Sequence, residues 1–242
     1  MLKKRIIVTL LHDGKGLAVK PVSFQKPMRI VGSLMQTIKV MARRDIDELV
    51  LIDICATPEG RTVDFEKIKE YAAELYCPLT IGGGISKSEH IREALNNGAD
   101  KVLIGSAFQM DWARAAAHKF GAQCIVYALD IGLWVHHPVN EMIISEAIKG
   151  IEDQGAGEII LTDMDQDGTQ RGYNIDMARC VLDYANVPVV INGGCGTPEH
   201  MFEALNCHVA AHAVAASTMF LYTDVTPKDC SEYLKKKGVP VR

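Results

Sequence analysis

The stretch Glu48–Asp53, ELVLID, is a nearly continuous apolar run with a carboxylate at each end, and it returns 110 residues later as Glu158–Asp163, EIILTD. The same offset relates Pro78–Gly84, PLTIGGG, to Pro188–Gly194, PVVINGG, and it extends into the segments that follow. Such runs are typical of strands buried on both faces, which occur in parallel sheets. A constant offset over successive segments predicts two fused halves of one repeated unit.

Eight strand-like runs lie along the chain, and amphipathic, helix-like stretches separate them. The runs are Arg5–Leu10, Glu48–Asp53, Pro78–Ile81, Lys101–Ile104, Cys124–Asp130, Glu158–Asp163, Pro188–Ile191 and Ala211–Ala215. Eight βα units in 242 residues predict an α/β fold, a closed (β/α)8 TIM barrel with a two-fold half-barrel repeat, as a single domain over 1–242. An open, doubly wound sheet is the alternative, but the glycine-rich fingerprint expected after its first strand is missing.

Composition excludes several classes of partner. The net charge is −4 and the longest basic tract is Lys235–Lys237, so we expect neither nucleic acid nor a membrane surface as the main partner. The apolar runs are far shorter than the ~20 residues of a membrane span, and the N-terminus is predicted to enter a first strand, without a signal peptide. Seven cysteines without a C-x-x-C pair are typical of reduced thiols. We therefore expect a cytoplasmic protein without a metal or another cofactor.

Glycines and small residues follow several of these runs. In a TIM barrel the active site lies at the carboxyl ends of the strands, where backbone N–H groups and helix N-termini bind anions. Because the repeat doubles the pattern, we predict two phosphate sites and a ligand with a phosphate at each end. The alternative is that these glycines only form tight turns. The candidate residues are Gly82, Gly83, Gly84, Gly105, Ser106, Gly193, Gly194, Ala216 and Ser217.

Carboxylates end three of the runs, at Asp53, Asp130 and Asp163. A partly buried aspartate in a barrel mouth can act as a general acid or base. The alternative is a carboxylate that caps a loop, which we favour for Asp165, whereas we favour a catalytic role for Asp130.

Four charged residues begin strand-like runs, namely Arg5, Glu48, Lys101 and Glu158. They predict two positive and two negative groups at the amino-terminal end of the barrel, where buried charges need partners. A structural ring of ion pairs and a gated opening into the barrel axis are both compatible with this pattern.

Six segments together resemble the cyclase subunit family of imidazole glycerol phosphate synthase, and the resemblance continues to residues 233–239. They are Lys4–Ile7, Ile46–Val50, Ile81–Ile85, Gly98–Val102, Gly155–Ile159 and Asp165–Thr169. The resemblance implies a TIM barrel that docks a glutaminase subunit beneath it as a heterodimer. Ammonia would pass up the barrel to a bis-phosphorylated ribulosyl nucleotide, giving imidazole glycerol phosphate for histidine biosynthesis and an aminoimidazole carboxamide ribonucleotide.

The resemblance also assigns roles to individual residues. Asp130 matches one catalytic aspartate, Lys20 matches the lysine of a mobile loop, and Asp100 matches a residue of the glutaminase interface. The four charged residues at the amino-terminal end match the ammonia gate of the family. The substrate site after the sixth barrel strand is matched by Thr162, Asp167, Gly168 and Thr169.

Several positions depart from the family pattern. Leu11 stands where the family has its second catalytic aspartate, and a leucine cannot transfer a proton. The Gly-Asp-Pro of the family is Gly32–Leu34 here, GSL, and the segment from 130 to 158 is short. Gly105 replaces an asparagine and Asn192 replaces a serine near the phosphate sites.

Three functions remain open from these observations. A working cyclase would need a relocated base, either Asp13, which strand parity would place on the same side as Leu11, or His12. A diverged second-copy paralogue would serve as ammonia conduit in a complex that amidates sugars of surface polysaccharides. A degenerate barrel would only bind a phosphorylated ligand or act as a scaffold. A fourth relative, the single-chain sugar isomerase of the pathway, needs no gate and is disfavoured.

Overall fold

The structure is a computed structural model that describes residues 3–105, 111–132 and 141–242. Within these residues, the strands are β1 (Arg5–His12), β2 (Leu17–Val22), β3 (Gln25–Ser33), β4 (Glu48–Asp53), β5 (Leu79–Gly82), β6 (Lys101–Ile104), β7 (Ile125–Ile131), β8 (Glu158–Asp163), β9 (Val189–Asn192) and β10 (Ala211–Ala216). The helices are α1 (Leu34–Ala42), α2 (Phe65–Ala72), α3 (Ser88–Asn96), α4 (Asp111–Phe120), α5 (Glu141–Asp153), α6 (Ile175–Tyr184), α7 (Pro198–Asn206), α8 (Thr218–Tyr222) and α9 (Pro227–Lys236).

Eight of the strands close into a parallel barrel. The order runs from β10 down to β4 and then to β1, and β1 also pairs in parallel with β10, with Arg5 opposite Ala213. This closure confirms the predicted (β/α)8 barrel and excludes the open, doubly wound sheet. The half-barrel repeat stays a prediction, although several contacts at the barrel mouth recur at the same offset.

The barrel has an outer and an inner apolar core. On β1, Ile6, Val8 and Leu10 pack toward the helices, whereas Ile7 packs inside the barrel. Because both faces of each barrel strand are buried, the runs are almost continuously apolar. The inner core consists of Ile7, Val50, Leu103, Val126, Ala128, Ile160, Val190, Ala213 and Ala215.

An antiparallel hairpin of β2 and β3 follows β1 and was not among the predicted strands. It continues the barrel sheet outward from β1, where Leu11 pairs with Val19. Its sequence interrupts the apolar pattern with Lys20 and Pro21, and β3 is the last strand of the sheet order in the part of the chain that the structure describes. A strand at a sheet edge tolerates proline and charge, so the apolar-run criterion misses it.

Polar side chains fix where several helices begin. Asp64 accepts hydrogen bonds from the first turn of α2, and Thr197 caps α7 ahead of Pro198. Thr226 and Asp229 form a reciprocal capping box at α9. In the described part of the chain, no helix combines the length and apolar content that crossing a membrane requires.

Candidate active site

A cavity of about 800 Å³ opens at the carboxyl ends of the barrel strands. Its volume lies within the range of roughly 300–1,000 Å³ that is typical of small-molecule sites. The predicted site residues on its wall are Lys20, Gly83, Gly84, Gly105, Asp130, Thr162, Asp167 and Asn192. Gly82 ends β5 just below this wall, and Ser106 lies outside the described residues.

Asp130 projects into this cavity from the end of β7. Protein surrounds the side chain on most sides, yet the carboxyl stays accessible from the cavity. Burial raises the pKa of Asp130 to about 6, a hydrogen bond with Thr162 opposes this rise, and the negative charge of Asp167 adds to it. Asn192 donates to Thr162 at 3.2 Å and completes the polar group. Near neutral pH the carboxyl therefore populates both protonation states, as a general acid or base requires.

Lys20 and Asp167 form a buried ion pair across the mouth. The Lys20 Nζ lies 2.9 and 2.7 Å from the two oxygens of Asp167, and both side chains are less than a tenth exposed. The Ser23 N–H also donates to the Asp167 carbonyl at 2.8 Å. Gly168 has φ +81°, and a Cβ there would lie 3.0 Å from the Pro21 carbonyl oxygen. These contacts hold the β2–β3 hairpin against the loop after β8.

Leu11 presents an apolar side chain to the cavity at the end of β1. Strand parity does not carry Asp13 to the same wall, because β1 ends at His12 and the chain turns into the hairpin. One Asp13 oxygen accepts from the N–H groups of Lys15 and Leu17 at 2.8 and 3.0 Å. Burial acts to raise the pKa of Asp13, but these hydrogen bonds outweigh it and the pKa is lowered. The structure does not bring Asp13 to Asp130.

His12 also lies away from the described cavity wall. Its Nδ1 accepts from the Gly14 N–H at 3.1 Å, and its side chain is buried. Burial lowers the pKa of His12, so the imidazole is neutral near neutral pH. The geometry thus favours neither proposed substitute for the missing aspartate.

Two glycines make the tight turns after β5 and β9. Gly83 has φ +123°, and a Cβ there would lie 2.6 Å from the Asp53 carbonyl oxygen. Gly193 has φ +95°, and its Cβ would lie 2.5 Å from the Asp163 carbonyl oxygen. Both turns therefore require glycine, and they recur at the 110-residue offset. Anion binding at these turns stays a prediction.

The remaining predicted substrate-binding and phosphate-binding residues lie at or after the ends of β8, β9 and β10 but do not lie on the described cavity wall. They are Gly168, Thr169, Gly193, Gly194, Ala216 and Ser217. Thr169 Oγ1 donates to the Gln166 carbonyl at 2.7 Å and so holds its loop. Ser217 is buried at the end of β10, next to α8.

Asp53 and Asp163 are loop-holding carboxylates. In each, Oδ1 accepts from the backbone N–H groups two and three residues later, at 3.1 and 3.0 Å for Asp53 and at 3.0 and 2.9 Å for Asp163. The second oxygen of Asp53 accepts from Arg61 at 2.5 Å, and that of Asp163 accepts from Asn174 at 2.8 Å. Both oxygens of Asp53 and of Asp163 therefore accept hydrogen bonds from the loops, as expected if these carboxylates cap loops rather than act as catalysts.

At the amino-terminal end of the barrel, Arg5, Glu48, Lys101 and Glu158 form a closed ring of ion pairs. Arg5 lies 2.9 Å from Glu48 and also pairs with Glu158, while Lys101 lies 3.0 Å from Glu48 and 2.7 Å from Glu158. Thr80 adds a hydrogen bond to Glu48 at 2.8 Å. Burial opposes ionisation, but the ion pairs outweigh it, so the pKa of Arg5 is raised and that of Glu158 is lowered. Arg5 and Glu158 are therefore charged at neutral pH.

An apolar layer separates this ring from the cavity. On each of the four strands, the residue two positions after the ring residue belongs to the inner apolar core. These residues are Ile7, Val50, Leu103 and Ile160. Val50, Leu103 and Ile160 also form part of the cavity wall. The barrel axis thus passes from charged to apolar to polar surroundings.

Residues 5–226 match the family of histidine biosynthesis proteins. The chain belongs to this family. It is 37% identical over 253 residues to the imidazole glycerol phosphate synthase subunit HisF of Thermococcus onnurineus, covering 100% of this chain and 99% of the relative. It is 38% identical over 251 residues, with the same coverage, to a Campylobacter jejuni protein provisionally named imidazole glycerol phosphate synthase subunit hisF2. The HisF subunit of Dictyoglomus thermophilum is 37% identical over 254 residues, again covering 100% and 99%. The family resemblance found in the sequence is thereby confirmed.

Two cavity residues of this histidine biosynthesis family member were not singled out from the sequence. Arg61 lines the wall beside Asp53, and its ion pairs with Asp53 and Glu59 raise its pKa. His90 lines the wall beyond Gly84. Both residues recur in the sequence at the 110-residue offset, His90 as His200 and Arg61 as Arg171, and this recurrence is the signal that could have found them. Among the described residues, no group of three His, Cys, Asp or Glu side chains is arranged to hold a metal ion.

Proposed function

We propose that this chain is a cyclase-type subunit of imidazole glycerol phosphate synthase. It would take ammonia from a glutaminase partner and act, as a lyase and cyclase of histidine biosynthesis, on a bis-phosphorylated ribulosyl nucleotide. The observation that carries the proposal is Asp130, which lies on the wall of a cavity of about 800 Å³ and has a pKa raised to about 6. The chain that carries this residue is similar to HisF subunits over its full length.

In this reaction Asp130 would move the protons. As a carboxylate it would accept a proton from the nitrogen that is joining the substrate, and as the acid it would return one to a leaving group. Thr162 and Asn192 would fix the orientation of its carboxyl through their shared hydrogen bonds. The turns at Gly83 and Gly193 would present backbone N–H groups to the two phosphates.

The glutaminase would dock at the amino-terminal end of the barrel. The relatives are named as subunits, which supports a partner chain. Asp100 lies exposed at this end, and one of its oxygens accepts from the Leu79 N–H at 2.8 Å. Arg5, Glu48, Lys101 and Glu158 would gate the entry of ammonia. The seven free cysteines fit a reducing, cytoplasmic setting, and we expect no cofactor.

Leu11 favours a second candidate function. Its apolar side chain occupies the wall where the family has a catalytic aspartate, and Asp13 lies in a turn away from it. A chain with this wall would still bind phosphates and conduct ammonia, serving a separate sugar amidotransferase in surface-polysaccharide biosynthesis. The similarity to the protein provisionally named hisF2 is compatible with this candidate.

A turnover assay with the bis-phosphorylated ribulosyl nucleotide and excess ammonium salt tests the first function, because ammonium bypasses the glutaminase. We expect carboxamide ribonucleotide to form and to be lost in Asp130→Asn. Leu11→Asp should raise turnover at least ~10-fold by restoring a second acid or base, and Leu11→Asn is its matched control. Substrate binding without turnover in the wild-type chain would instead support the conduit function.

A further inference from the structure

His90 stands on the first turn of α3 and forms part of the cavity wall. Two contacts hold its imidazole in place. The Nδ1 accepts from the Ser86 N–H at 3.3 Å, and the ring packs against Phe65 with 5.8 Å between the ring centroids. The ring is therefore positioned before any ligand arrives.

The protonation state of His90 makes it a hydrogen-bond donor. Burial lowers the pKa of His90 and the positive charge of Lys87 lowers it further, whereas hydrogen bonding to the Gly84 backbone and the negative charge of Glu89 oppose this lowering. A histidine with a lowered pKa is neutral near neutral pH. Since Nδ1 accepts a hydrogen bond, the proton of the neutral ring is assigned to Nε2.

The surroundings of His90 are suited to an anionic ligand that such a donor could bind. Gly83, Gly84 and Ser86 form the same stretch of wall, where the first phosphate site is predicted. Gly105 lies at the end of the neighbouring strand β6, and it has no side chain to offer. Besides backbone groups, a phosphate at this wall would meet the side chains of Ser86 and Arg61, and His90 adds a neutral ring donor to them.

We propose that His90 binds the ligand phosphate at this wall and sets the specificity of the site for a phosphorylated end. The inference deepens the proposed function and rests on its phosphorylated substrate. It adds a side chain that contacts the ligand and that the motifs of the sequence did not assign.

His200 provides a matched control within the same molecule. It occupies the equivalent position of α7, and its Nδ1 accepts from the Gly196 N–H at 3.1 Å. In the described residues, however, His200 does not line the cavity. Replacing His200 removes the same kind of loop contact without removing a group from the cavity wall.

The test is a titration with inorganic phosphate followed by NMR at the Gly84 and Ser86 amides, which report on this wall alone. In His90→Ala we expect phosphate to bind there about 10- to 100-fold more weakly, the effect of losing a hydrogen bond to a charged group. In His200→Ala the affinity read at the same amides should stay within about 2-fold, the size of a surface-type change. Should His90→Ala fail to fold, His90→Phe keeps the packing against Phe65 and removes the donor.

Equal affinities in wild type and His90→Ala would overturn the proposal, and so would equal losses in the two histidine variants or no phosphate response at Gly84 and Ser86. The turnover assay separates this inference from the proposed function. A chain that binds phosphate through His90 yet converts no ribulosyl nucleotide would keep the inference and lose the proposed reaction.

Discussion

At the scale of single residues, Asp130 carries a conflict between stability and acid–base function. Its pKa rises from 3.8 to about 6 on folding, so the folded chain binds the proton more tightly than the unfolded chain does. The resulting contribution to stability is present below about pH 4 and is lost as the pH rises to about 6. A carboxylate kept in this state costs stability at the pH where it would work.

Asp130→Asn should therefore stabilise the protein at pH 8, by about 1 kcal/mol, because water in the cavity screens part of the full effect. The gain should vanish at about pH 3, which lies below both pKa values, so that the wild-type carboxyl is protonated in the folded and in the unfolded chain. Urea unfolding of both chains at the two pH values measures this difference. A gain that is equal at both pH values would contradict the role of ionisation.

Some site residues could be predicted from the sequence and others could not. Asp130 was found because it ends a strand-like run, and the ring residues were found because they begin such runs. The turn geometry of Asp13 was not predictable, because parity holds only while the strand continues and its last residue depends on the hairpin. Leu11, by contrast, was visible in the sequence, and the cavity wall shows where its side chain points.

At the scale of elements, the β2–β3 hairpin depends on the ion pair between Lys20 and Asp167. Lys20→Met would leave Asp167 buried without its cation, at a cost of about 3 kcal/mol to the docked hairpin. We expect the Ser23 amide, which donates to Asp167, to exchange with solvent roughly 100-fold faster. Hydrogen exchange followed by NMR measures this opening.

Lys15→Met is the control for this prediction. Lys15 lies in the turn before β2, its side chain is 75% exposed, and its ion pair with Glu59 spans 3.8 Å. Exposed pairs contribute little to stability, so exchange at Ser23 should be unchanged. Equal acceleration in the two variants would show that the buried ion pair does not hold the hairpin.

The elements also show which predictions depend on local sequence. The bounds of every barrel strand were predicted to within a few residues. Burial on both faces makes each strand an apolar run, which can be recognised from the local sequence alone. The hairpin was not predicted because Lys20 and Pro21 interrupt the apolar run of β2, because β3 is largely exposed, and because the contact with Asp167 comes from a distant loop. The position of His90 on the cavity wall was not predicted for a related reason. The sequence shows that His90 and His200 are repeated, but only the folded loops place His90 against the cavity.

At the scale of the whole molecule, the ion pairs of the charged ring are buried enough to contribute strongly to stability. Lys101→Met would leave Glu48 and Glu158 sharing only Arg5, and we expect a loss of about 3 kcal/mol in the free energy of unfolding at pH 8. The deficit should shrink at pH 5, because glutamates without a cation regain stability when they take up protons. Urea unfolding at both pH values tests this.

Lys39→Met serves as the comparison on the surface. Lys39 pairs with Glu74 at 3.3 Å, and both side chains are more than a third exposed. Its loss should cost less than about 1 kcal/mol. If the two variants lose the same amount, the ring contributes no more than an ordinary surface pair.

The apolar layer above the ring has a consequence for what the barrel axis can conduct. Ile7, Val50, Leu103 and Ile160 offer no polar atom to replace the hydration shell of an ion. A cation would therefore meet a higher electrostatic barrier there than a neutral solute of the same size. If ammonia follows this axis, as proposed, it would cross the apolar layer as neutral NH3 and leave its extra proton at the charged ring.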